Sequence, residues 1–285
     1  MVARVLSGAS RAAIGEHRVQ GKFTTPLGMA EFLALVTPFV IHFVINGRNL
    51  FEKIAASLTL PFVLFVIDKT DSRLGVVGFI IATFGYVFFW TLRRWQRNRM
   101  TVFAPLIVAA YPAMMAVLLI ASFFITRLKN AIWGGGAYEA STVARQNQMA
   151  EGIDIVIRQP WGHGIGRAAE TLGYTNLDGF VTIDTYYVSI AIEAGLVGFI
   201  AYYGAFLAAM IIGAKHLLKA GDREETSWML PALLSLGNYF VIKSILSQQE
   251  NHPLAFATLG LVVALIHQVN AKQVGAKSEI SIRVD

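Results

Sequence analysis

Two stretches of this chain, Leu74–Leu92 and Val102–Thr126, carry no charged residue. A bilayer core of about 30 Å is crossed by about 20 mostly apolar residues in helical form. Each run is therefore long enough to span a membrane. In hydrocarbon the backbone must satisfy its own hydrogen bonds, so such segments are expected to be helices. Five more segments read the same way: Leu27–Asn46, Leu50–Ile67, Leu196–Ala214, Trp228–Ser247 and Pro253–Val269. Pro38, Pro61, Pro105, Pro112 and Pro231 fall inside the set and are expected to kink it.

Composition agrees. Hydrophobic residues make up 55% of the 285 positions and charged residues 15%, against about 25% charged in an ordinary soluble domain. That excludes disorder and argues against a soluble enzyme. The chain has no cysteine, which removes disulfide scaffolds, thiolate zinc sites and cysteine nucleophiles. The net charge of +6 goes with helix-end topology, not with nucleic acid, since no nucleic-acid motif is present. The expected fold class is all-α: a polytopic membrane protein of about seven transmembrane helices with one long extracytoplasmic loop.

Arg93-Arg94-Trp95-Gln96-Arg97-Asn98-Arg99 holds four arginines in seven residues and marks the cytoplasmic side. Alternation then places the loop Lys215–Ser227 and the polar tail 271–285 inside. The turn Asp68–Arg73, the turn Gln249–His252 and the long loop 127–184 lie outside. Inside segments carry twelve Lys and Arg, and outside ones, the long loop aside, carry six. The outside residues include Arg4, Arg11, Arg18 and Lys22 in the segment 1–26, which an odd span count forces outward against the usual bias. Either helices precede this chain or one span is miscounted. The tail after Asn270 reads as a disordered end.

The long loop is where chemistry is expected, because loops of this length usually carry function. It opens on Trp133-Gly134-Gly135-Gly136, and Ser141 can cap a helix running to about Arg158, stopped by Pro160. On that helix Arg145, Met149, Ile153 and Val156 share a face. Arg145 points inward at an anion, or snorkels to headgroups from an interfacial helix. The glycines of Pro160-Trp161-Gly162-His163-Gly164-Ile165-Gly166-Arg167 permit close backbone approach to a ligand. A dinucleotide fingerprint does not fit their spacing or context. His163 can act as a base or simply hold the loop. Asp184 stands where an acid satisfies the free amides of the next helix and suits its dipole. Arg73, Lys243 and Glu31 are ionisable groups at the outer ends of spans, and His42 sits near an inner end.

Three motifs in order carry a family resemblance. They are Thr70-Asp71-Ser72-Arg73-Leu74-Gly75, then Arg145 with Ile157-Arg158-Gln159-Pro160-Trp161-Gly162-His163-Gly164-Ile165-Gly166, then Asp184-Thr185-Tyr186-Tyr187 with Glu193-Ala194-Gly195-Leu196-Val197-Gly198. The set, from about Arg18 to Ala264, resembles the O-antigen ligase and polysaccharide polymerase superfamily of bacterial inner-membrane glycosyltransferases. Members carry more spans, so the domain 27–270 corresponds to their C-terminal part. Asp184 stands where the ligases usually carry histidine, which leans toward a polymerase.

The resemblance implies metal-independent, cofactor-free transfer of an oligosaccharide from undecaprenyl diphosphate. The acceptor is a glycan or lipid-linked hydroxyl, and the site faces the periplasm. It makes Asp184, Arg145 and Arg73 the catalytic candidates, because a lipid-diphosphate leaving group calls for cations and the acceptor hydroxyl calls for a base. Arg158, His163, Arg167, Tyr187 and Lys243 become substrate-binding candidates. The alternatives are a transporter or flippase built on Glu31, Lys243 and kinked helices, and an inactive fragment of a longer polymerase.

Overall fold

The computed structural model describes residues 18–97, 103–124, 139–175, 179, 181–219 and 224–282. Arg4, Arg11, Arg99, the break Trp133–Gly136 and the terminal Arg283-Val284-Asp285 lie outside these residues. The described part is helical: α1 (Pro26–Asn46), α2 (Leu50–Lys69), α3 (Arg73–Arg97), α4 (Phe103–Phe124), α5 (Glu139–Arg158), α6 (Ala168–Leu172), α7 (Tyr186–Lys219), α8 (Glu224–Lys243) and α9 (His252–Ile282). Its one β feature among the described residues is an isolated bridge between Thr175 and Val181.

Each of the seven predicted spans falls largely on a helix, the sixth running past the helix end at Lys243. Among the described residues five are long and apolar enough to cross a bilayer: α1, α2, α3, α7 and α9. Leu50, Phe51, Leu58 and Phe62 on α2 and Leu196, Val197 and Ile200 on α7 are exposed. Side chains of this kind stand outward in numbers only where lipid is the solvent. The chain is therefore an all-α, polytopic membrane protein. α8, the sixth predicted span, is buried almost continuously from Met229 to Leu236.

The chain divides into two compact units: 1–87 with 206–240 and 249–285, and 88–205 with 241–248. In the first, α1 and α2 pack on one another. Thr25 caps α1, accepting from Gly28 N at 3.1 Å, with Pro26 at the first helical position. Asn49 caps α2 by accepting from Glu52 N at 2.8 Å, and Glu52 accepts from Arg48 N at 2.8 Å. This shared capping of the helix start explains a carboxylate at the end of a span. Asn238 of α8 donates to Ala34 O at 2.8 Å and Gly78 O at 3.0 Å, tying α8 to α1 and α3. The two ionisable groups of α1 are both buried here. Glu31 accepts from Asn251 at 3.0 Å, and His42 Nδ1 lies 2.9 Å from Tyr86 Oη.

The second unit holds α4, α5, α6 and the first part of α7. A small core of Ala168, Leu172, Val188 and Ile192, joined by Ile155, Val156 and Ile183, fixes α5 and α6 on α7. Gly152 makes this possible, since a Cβ there would lie 2.4 Å from Val188 Cγ1.

Several expectations need correction. α5 begins at Glu139, so Ser141 lies inside its first turn and does not precede it. Pro105 sits in the first turn of α4, where its missing N–H has no partner to lose. The recorded break in α7 is at a glycine, Gly195, with φ 68° and ψ −175°. The tail is not irregular: α9 continues to Ile282, because Ala271, Lys272, Gln273, Ala276 and Lys277 are good helix formers running on from the span.

Candidate functional site

The start of α7 gathers most of the candidates in the second unit. Asp184 is half-buried two residues before the helix. Its backbone N–H donates to Gln148 Oε1 at 2.8 Å. Gln148 is fully buried on α5, one turn after Arg145. Burial pushes the Asp184 carboxyl above its ordinary value, and the nearby Arg145 charge pulls it partly back. Arg145 is therefore close enough for its charge to act on the acid.

The expected stripe on α5 splits. Arg145 and Val156 are half-buried, whereas Met149 and Ile153 are exposed. The face toward α7 is made by Arg145, Gln148, Gly152 and Ile155. A polar residue on an amphipathic helix reads as solvent-facing, so Gln148 was not legible as part of the site. Its spacing of three from Arg145 is the signal that could have found it.

Residues 241–248 close the group from the other side. Lys243 is fully buried, donates to the carbonyl of Gln248, and stands 5.7 Å from the Tyr186 ring centroid. Ser247 Oγ donates to Ile183 O, next to Asp184. Tyr187 packs edge-on against Tyr203, 4.6 Å between centroids. Gln148 Nε2 and Thr185 Oγ1 are buried here with no hydrogen-bond partner among the described residues. Thr185 occupies the position before α7 where a hydroxyl ordinarily caps, yet its oxygen does not. Gln148 and Thr185 are the polar members that sequence reasoning did not include.

At Gly162 the glycine turn makes a close approach within the fold itself. Gly162 has φ 89° and Gly195 φ 68°, both in the left-handed region. A Cβ on Gly162 would lie 2.4 Å from Glu193 O, and one on Gly195 would lie 2.2 Å from Pro160 O. The close approach at Gly162 is thus to the broken backbone of α7. Three bonds fix it: His163 N to Ile192 O at 2.9 Å, Gly164 N to Glu193 O at 3.1 Å, and Leu196 N to Pro160 O at 2.9 Å. The break at Gly195 frees backbone groups, and the loop satisfies them. His163 Nδ1 is also 3.3 Å from Ile192 O, so the ring is held on α7 as well. Arg158, the last residue of α5, and Arg167, before α6, are exposed. Arg158 also lies at a helix C-terminus, where a cation is favoured.

Arg73 belongs to the first unit. It is half-buried at the first position of α3. Before it, Asp71 takes φ 49°, and Ser72 Oγ accepts from Gly75 N at 3.3 Å. Arg18 donates to Thr70 O at 2.8 Å and Asp71 O at 3.2 Å, and Val19 N to Lys69 O at 3.0 Å. Arg18 thus serves the carbonyl end of α2. Asp68 and Lys69 form an exposed pair at 3.7 Å, the solvated turn their spacing suggests. A cation at N1 opposes the helix dipole, so helix stability does not select Arg73.

No curated protein matches the chain. A family model described as O-antigen ligase matches residues 55–203, just over half of the chain. The matched stretch includes Arg73, Arg145, Gln148, the glycine turn and Asp184. On that match and this fold, the chain belongs to the O-antigen ligase family of membrane proteins.

Proposed function

We propose that the chain is a polysaccharide polymerase or ligase that transfers an oligosaccharide from undecaprenyl diphosphate to a sugar hydroxyl. The acceptor is another lipid-linked repeat or a lipid core, and the site opens to the periplasmic face of the bacterial inner membrane. The observation that carries this reading is Asp184, its carboxyl desolvated near the Arg145 charge and its backbone N–H donating to Gln148 Oε1.

The step follows from those groups. The acceptor oxygen forms a bond to the anomeric carbon of the donor. The bond from that carbon to the diphosphate oxygen breaks, and its electron pair leaves with the lipid diphosphate. The acceptor proton passes to Asp184, whose raised pKa makes the carboxylate a better base than an exposed one. Arg145 faces the charge that develops on the leaving group. A planar, permanently charged guanidinium suits diphosphate oxygens. Arg158 and Arg167 contribute further cationic contacts, and Tyr187, His163 and Lys243 shape the sugar side; Arg73, in the first unit, is a catalytic candidate on the family motif alone. No metal or cofactor enters the step.

The test is transfer by reconstituted protein, given a synthetic undecaprenyl-diphosphate oligosaccharide and followed by chromatography of lengthened product. Asp184→Asn and Arg145→Ala are expected to abolish transfer at unchanged membrane abundance. Full activity in both variants would overturn the reading.

A further inference from the structure

α5 and the glycine loop after it carry an apolar series at every fourth residue. Met149 is 48% exposed, Ile153 51%, Ile157 71%, Trp161 81% and Ile165 92%. The first three lie on α5, and the last two on the loop that continues it. Exposure rises along the series, so the chain itself covers it least at the loop.

The surface of α5 divides three ways. At about 100° per residue, Gln148, Gly152 and Ile155 centre on one direction, which faces α7. Asn147, Glu151, Asp154 and Arg158, all exposed, centre on a second. Met149, Ile153 and Ile157 centre on a third. Core, water and a further apolar phase each claim about one third of the helix.

The position of the loop identifies that phase. Leu196 N donates to Pro160 O at 2.9 Å, and Gly162 abuts Gly195. This pins Trp161 where α7 begins to expose Leu196, Val197 and Ile200 within its membrane-crossing stretch. The apolar series is therefore continuous with a surface that already requires lipid. Tryptophan favours the headgroup level of a bilayer, and the exposed Arg158 and Arg167 alongside it suit lipid phosphates.

We propose that α5 and the glycine loop lie in the headgroup–acyl boundary of the leaflet at which α7 begins, anchored by Met149, Ile153, Ile157, Trp161 and Ile165. The occupant of the face is bilayer lipid. The inference stands whether or not the chain transfers glycan. It has a consequence for the candidate site, because the helix held at that depth also carries Arg145 and Gln148.

The absence of cysteine makes the test direct. Ile153→Cys, Ile157→Cys, Trp161→Cys and Ile165→Cys each receive a nitroxide label, with Asp154→Cys as the water-edge reference. The full chain is placed in nanodiscs of phosphatidylethanolamine and phosphatidylglycerol. Collision of each label with oxygen, which concentrates in lipid, is compared with collision with a soluble nickel chelate. The ratio of oxygen to nickel access is expected to be several-fold higher at the four apolar positions than at Asp154. Nickel access at those positions equal to that at Asp154 would overturn the proposal. So would labels immobilised and shielded from both reagents, which would mean that a second copy or another protein covers the face.

Discussion

The starts of α3 and α7 both carry residues read from sequence as chemical, and they are built in opposite ways. At α3 the rules of helix initiation are kept. Ser72 accepts from Gly75 N, and Arg18 and Val19 take the carbonyls at the end of α2. At α7 the rules are broken. Thr185 buries its hydroxyl without a bond, Gln148 Nε2 is buried likewise, and Asp184 is desolvated. Each of the two buried unpaired groups costs about 1–3 kcal/mol relative to a satisfied one. Local rules broken together mark the place where a fold carries function. On the proposed function, the helix start at α3 serves mainly stability and the one at α7 chemistry, with Arg73 the exception at the former.

Four substitutions can break or sharpen that contrast. The largest effect is expected from Asp184→Asn, which removes the base and should lower the transfer rate about 10²–10⁴-fold. Its stability should respond differently. The folded-state pKa of Asp184 is raised, so its contribution to stability is full below the unfolded value and is lost as pH rises through the folded one. Chemical denaturation at neutral pH should show Asp184→Asn no less stable than the parent.

Arg145→Ala comes next. Loss of a cation facing the leaving group is expected to cost about 3–4 kcal/mol of transition-state stabilisation. It should also shift the acidic limb of the pH–rate profile. Asp184 works ionised, so activity falls as pH drops through its pKa. Removing the Arg145 charge raises that pKa further, and the fall should begin at higher pH.

Gly195→Ala tests the loop and not the chemistry. The new Cβ meets Pro160 O at 2.2 Å in a left-handed backbone conformation. A loss of about 1–3 kcal/mol is expected, visible as faster proteolysis within the glycine loop. The smallest effect belongs to Ser72→Ala. A lost cap should cost about 1 kcal/mol, with transfer per folded molecule unchanged. A specific activity that fell as far as in Asp184→Asn would erase the contrast between the two helix starts.

The helices were legible because their cause is local. Leu74–Leu92 and the other apolar runs satisfy their backbones only as helices, and the family motifs kept their order along the chain. What could not be read depends on residues distant in sequence. Gly162 and Gly195 are 33 positions apart, and nothing in either neighbourhood says that they touch. Gln148 looks like any polar residue on a loop helix until Gly152 allows α5 close to α7. The helical tail to Ile282 follows from propensity that its polar composition obscured. At the candidate site, Arg145 and Asp184 were legible as charges in the loop, but their proximity was not.

The central claim is that Asp184 takes the acceptor proton within a site whose fold does not depend on its charge. The most direct measurement is single-turnover transfer by Asp184→Asn in nanodiscs, with donor binding measured on the same sample. The account expects donor binding within a few-fold of the parent and loss of transfer by at least about 10²-fold. Transfer at the parent rate would contradict it.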